Sequence, residues 1–166
     1  MRKVHLVGLL LVVVAMGMWV APSLAAEQTR VALVVNGQAQ LSEDSPITRA
    51  VFSVASRGLE AVDKLQLIAQ ERVVAAQRVL GFHLTAETSP RQVHALADLL
   101  DADAIVLIQV SLVRDGLIGF HGLVFNVDAK VLVEFRSALF RPDVDEQLQR
   151  AVKEFLERVV PVLLRL

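Results

Sequence analysis

Seven consecutive residues, Ala104-Ile105-Val106-Leu107-Ile108-Gln109-Val110, constrain this chain more than any other stretch. The run is apolar at nearly every position and shows no alternation. It therefore predicts a central strand covered on both faces rather than an edge strand with one wet side. Such a strand needs layers above and below it, so the rest of the chain has to supply helices.

The flanking sequence supplies them. Arg30-Val31-Ala32-Leu33-Val34-Val35 is a second apolar run, read as a strand buried on both faces and ended by the turn pair Asn36-Gly37. Ser45-Pro46 and Ser89-Pro90 are matching helix starts. Serine suits the N-cap, and proline costs nothing at the first helical position, where an N–H has no partner within the helix. Ile47, Val51 and Val54 follow the first start at helical spacing, and Val93, Leu96, Ala97 and Leu100 follow the second. These patterns predict helices over 46–61 and 90–101. Between them, 65–69 has the length and alternation of a strand, and 71–80 returns to helical spacing and closes on Gly81.

Beyond the central run the period changes to two. Leu123, Phe125, Val127, Ala129, Val131, Val133 and Phe135 alternate with polar residues, which predicts one long, half-buried antiparallel strand with one wet face. A brief strand over 137–140 is expected to pair back after it. Leu148, Val152, Phe155, Leu156, Val159 and Leu163 form the stripe of a final helix that Pro161 should kink or end. The order β-α-β-α-α-β, then antiparallel strands, then a helix predicts an α/β (α+β) fold with a single mixed sheet and helices packed on it.

The first residues read differently. Arg2 and Lys3, an uncharged apolar stretch over 4–20, Pro22 and Ser23-Leu24-Ala25 have the order of a secretory signal peptide, with cleavage expected after Ala25 or Ala26. Residues 1–25 are thus read as the signal peptide and 26–166 as one α/β domain. The protein is expected in the periplasm. Membrane attachment is expected only if the segment is retained, because about 17 apolar residues is the lower limit of a span. The sequence has no cysteine. Without a thiol to carry acyl chains the chain is expected not to be a lipoprotein, and without disulfides its core alone must hold it together.

Charge narrows the partners. Removing Arg2 and Lys3 leaves 15 basic against 18 acidic residues, scattered along the chain, so nucleic acid is not expected to bind. Catalytic chemistry is sparse. His94 and Asp98 lie four apart on a helix, yet spacing places no third ligand beside them, so no metal is expected. There is no Gly-x-Ser-x-Gly elbow and no phosphate-loop spacing, so neither enzyme activity nor a cofactor is expected. The glycine-bearing segment 114–122 offers Leu117, Ile118, Phe120 and His121 as partner contacts, unless these side chains fold back over a sheet edge as local core. The apolar end, 159–166, is read as a core helix.

Several segments together resemble a known family. Arg30-Val31-Ala32-Leu33-Val34, then Leu67-Ile68-Ala69-Gln70-Glu71-Arg72, then Leu80-Gly81 and Leu99-Leu100-Asp101-Ala102-Asp103-Ala104-Ile105-Val106 are similar to the bacterial envelope superfamily typified by CsgG. Its relatives include the TolB amino-terminal domain and LpoB. Asp101 to Val110 is the nearest stretch, with Ile108-Gln109 standing where the family has glycine, and Phe125 to Phe140 matches its long strand, turn and return strand. The resemblance implies an accessory domain that works by binding another envelope protein. A different expectation is a small-ligand or lipid carrier with an apolar pocket beneath 114–122.

Overall fold

The computed structural model describes residues 28–38, 41–42, 45–112, 117–139 and 144–166. The expected signal peptide, its cleavage at Ala25 or Ala26, and residues 114–116 of the glycine-bearing segment lie outside the described residues. Along the chain come β1 (Thr29–Gln38), α1 (Pro46–Glu60), β2 (Leu65–Leu67), α2 (Gln70–Leu80) and α3 (Pro90–Leu100). They are followed by β3 (Ala104–Leu112), β4 (Ile118–Asn126), β5 (Val131–Leu139) and α4 (Val144–Leu163). The strands make one sheet in the order β2-β1-β3-β4-β5. β1 pairs in parallel with β2 and β3, and β3, β4 and β5 pair antiparallel, so the sheet is mixed.

The apolar runs split their side chains between two cores. Val31, Leu33, Val35, Val106 and Ile108 face α1 and α4, while Ala32, Val34, Ile105 and Leu107 face α2 and α3. Every one of these is buried, which is why β1 and β3 carry no alternation. In the first core Phe120 meets Phe135 and Phe155 edge-on at 5.8 and 5.9 Å between ring centres. Such pairs add about 0.5–1.5 kcal/mol beyond the area they bury.

The helix starts follow from their caps. The Ser45 hydroxyl accepts from the Thr48 N–H at 3.1 Å, and the Ser89 N–H and hydroxyl both donate to Gln92 Oε1. Gly81 ends α2 with φ of 71°, a conformation glycine adopts without steric penalty. At the end of α3, Arg30 of β1 pairs with Asp101 and donates to the Leu100 carbonyl, and its backbone N–H donates to Asp103 at 2.7 Å. The helix end is thereby tied to the sheet.

Three expectations differ. β1 runs on through Asn36-Gly37 to Gln38, because the pairs Asn36 with Gln109 and Gly37 with Val110 continue the ladder with β3. A Cβ at Gly37 would collide with the Leu41 carbonyl, so this glycine serves a close backbone approach and not a strand-ending turn. The long strand expected over 123–135 is two strands, β4 and β5, joined by a turn over 127–130 in which Ala129 N–H bonds to the Asn126 carbonyl. A bulge between Val124 and Phe125 accompanies it, so Leu123 and Phe125 face α2 and α3 while Phe135 faces α1 and α4. Finally, α4 continues past Pro161 to Leu163, with the exposed proline taken into the last turn. Among the described residues no helix is long and apolar enough to cross a membrane.

Candidate functional site

The sheet carries one polar row. Asn36 of β1, Gln109 of β3, His121 of β4 and Arg136 of β5 stand side by side across four strands, each paired in register with the next. Paired positions point to the same face, here the side of α2 and α3. α2 packs on β1 and α3 on β3, so the polar row passes from under the helices toward the open half of the sheet.

The covered end of the row is tied to the segment after α2. The Asn36 side-chain amide donates to the Leu84 carbonyl, and the Leu84 N–H donates to Gln77 Oε1 at 2.7 Å. Gln109 is 4% exposed, and its Oε1 accepts from the Ala86 N–H at 3.1 Å. Among the described residues its Nε2 has no hydrogen-bond partner. The Ala86 donor fixes the orientation of that amide, since a flipped group would set N–H against N–H.

The open end is an ionic cluster. Glu134 Oε1 accepts from Arg136 Nη2 at 2.7 Å, Arg136 Nε at 2.9 Å and His121 Nε2 at 3.0 Å. A carboxylate only accepts, so His121 carries its proton on Nε2, and the 3.4 Å approach of Arg136 Nε to that nitrogen is proximity between two donors. These donors, Arg136 foremost and then His121, hold the Glu134 carboxyl below the ordinary carboxylate range. Gln109, His121 and Arg136 of the row border a cleft of about 560 Å³, with Phe125 and Val131 at its apolar end and Glu87 on its rim.

The structure divides the expected contact residues. Ile118 and Phe120 are 0% and 1% exposed and belong to the core beneath α1 and α4, so they have no surface to give a partner. Once β4 starts at Ile118, period two sends Ile118 and Phe120 inward and His121 to the opposite, cleft-lining face. Leu117 is half-buried just before the strand. Gln109 and Arg136 were not anticipated as site residues. The one signal for Gln109 was its polarity inside an otherwise apolar strand.

The remaining candidates resolve as follows. His94 Nδ1 donates to the Val127 carbonyl at 2.6 Å and its Nε2 lies 3.4 Å from Asp98, which joins α3 to the β4–β5 turn. Among the described residues no group of three metal-ligating side chains converges. His121 makes no hydrogen bond to Ser111 or Ser137, the serines that line the same cleft, so no base is paired with a nucleophile there. A second groove, of about 820 Å³, runs between α1 and α4 past Val54, Gly58, Leu156 and Pro161, with Arg150 and Lys153 on its rim.

Neither a family model nor a curated protein matches this sequence. Solved structures do share its fold. The LpoB C-terminal domain from Salmonella enterica superposes with a TM-score of 0.51 at 13% identity, over 73% of this chain and 88% of that one. The fold is LpoB-like. Lipoprotein GNA1162 from Neisseria meningitidis superposes with a TM-score of 0.53 at 12% identity, over 78% of this chain and 96% of that one. The hypothetical protein CT253 from Chlamydia trachomatis gives 0.52 at 20% identity, over 84% and 100%.

This likeness corrects one expectation. The chain was expected to be periplasmic and not a lipoprotein, whereas the structures that share its fold include lipoprotein GNA1162. Absence of cysteine describes one means of tethering, while the fold is set by the two cores described above, and it is the fold that the lipoprotein shares.

Proposed function

We propose that this protein acts in the bacterial envelope by contacting another protein and carries out no catalysis, with residues 1–25 serving as its export signal. The observation that carries the reading is the LpoB-like fold, spanning 88% of the LpoB C-terminal domain, combined with a cleft in which His121, Glu134 and Arg136 are paired with one another. His121 spends its Nε2 proton on Glu134, and Glu134 spends one oxygen on three donors, so neither stands poised against a reacting group. Fold alone does not assign function, so the pairing of His121 and Glu134 with each other, and not with Ser111 or Ser137, is the second support. Kinship with the CsgG and TolB amino-terminal branches belongs to the same proposal.

A lipid or apolar-ligand carrier would need an empty apolar cavity. In the segment 114–122, beneath which one was expected, Ile118 and Phe120 pack with Phe135 and Phe155 as core. Native mass spectrometry of protein purified from its own cells tests the choice. The expected spectrum shows the polypeptide alone or with another polypeptide. A co-purifying lipid or metabolite would overturn the protein-contact reading.

A further inference from the structure

A buried amide N–H2 with no acceptor is destabilising, and native structures rarely keep one without a use. Gln109 Nε2 is such a group, held in place by the Ala86 N–H on its other end, in a residue that lines the 560 Å³ cleft. The ligand that repays it must bring an acceptor oxygen.

The surrounding charges say what kind. Arg136 is neutralised by Glu134, and Glu87 adds a negative charge at the rim, so an anion would meet repulsion with no free cation among the described residues to offset it. A neutral carbonyl fits. Its own N–H, one atom away, would find the second oxygen of Glu134 or the Glu87 carboxylate as acceptor. Phe125 and the half-exposed Val131 then provide an apolar wall beside the polar row. Polar main chain flanked by an apolar side chain is the surface of an extended peptide.

We propose that the cleft bounded by Gln109, His121, Glu134 and Val131 receives an extended segment of a partner protein, whose backbone carbonyl accepts a hydrogen bond from Gln109 Nε2. The segment lies over the half of the sheet that α2 and α3 leave open, with a β-branched or aliphatic side chain against Val131. This inference rests on the protein-contact reading above and adds to it the site and the chemistry of the bound strand.

The test is a titration of the 15N-labelled protein with the capped peptide acetyl-Thr-Val-Thr-Val-amide, followed by 1H–15N correlation spectra, with sodium acetate as the anion control. The side-chain amide pair of Gln109 is assigned by its disappearance in Gln109→Met. The peptide is expected to shift that pair together with the backbone amides of Gly119 and His121, and acetate is expected not to. Affinity should fall about tenfold in Gln109→Met, the equivalent of one hydrogen bond to a buried group, and should change little with salt. Val131→Asp, at an exposed position that leaves the core intact, should weaken binding as well. Shifts confined to the α1–α4 groove, equal affinity in both variants, competition by acetate, or no shift up to the solubility of the peptide would each overturn the site. In that event a partner polypeptide seen by native mass spectrometry would leave the protein-contact reading standing.

Discussion

Gly122 of β4 lies directly under the ring of Phe155 of α4: a Cβ built on this glycine would come within 2.5 Å of Phe155 Cε2. The absent side chain is what lets α4 close on the sheet and complete the Phe120, Phe135 and Phe155 cluster. Gly122→Ala is therefore expected to cost about 1–3 kcal/mol by overpacking, and Phe155→Ala about 3–5 kcal/mol by leaving a cavity. In the double variant the alanine has room, so its cost should vanish. Urea unfolding of the four proteins gives the coupling directly, and additive costs would show that the two residues do not meet.

The buried amide at Gln77 makes a separate prediction. Its Oε1 is the acceptor for the Leu84 N–H, and both groups are inside the second core. Gln77→Leu keeps the volume and orphans that N–H, which should destabilise the protein by about 1–3 kcal/mol. Hydrogen exchange at Leu84 should accelerate in the variant. Unchanged exchange would mean the bond is not made.

Glu134 makes stability depend on acidity. Its folded carboxyl is held below the ordinary range by Arg136 and then His121, so it binds protons less readily in the folded than in the unfolded state. The stabilisation is present above the ordinary carboxylate range and is lost as pH falls through the lowered folded value. The melting temperature of the wild type should exceed that of Glu134→Gln near neutral pH, and the gap should close in acid. Since the cluster is solvent-exposed the gap should be small and shrink with salt. A gap that widens in acid would contradict the assignment.

The helix caps offer a check on the helix starts themselves. Ser45→Ala removes the acceptor for the Thr48 N–H and should cost about 1 kcal/mol, read as a lower urea midpoint at unchanged slope. No change would mean that α1 is not capped there.

How far the sequence reaches can be seen in particular stretches. β1, β3 and the starts of α1 and α3 are legible because burial on both faces and Ser-Pro caps leave local marks. The β4–β5 turn is not: Val127, Ala129 and Val131 continue the alternation through it, and the change of face comes from a bulge that period two cannot register. Gly122 in a strand reads as loop for the same reason, since its role depends on Phe155, 33 positions away. The polar row was hidden because its four residues come from four strands and meet only through register.

Photocrosslinking in the native cell asks whether this protein works by holding another protein. A photoreactive residue replaces Ala138, exposed on β5 next to Gly119 of the cleft, and in a second strain Lys153 on the rim of the α1–α4 groove. The prediction is a discrete, light-dependent adduct from position 138 whose second component is an envelope protein. Absence of any protein adduct from both positions, with the chain present and folded, would contradict it.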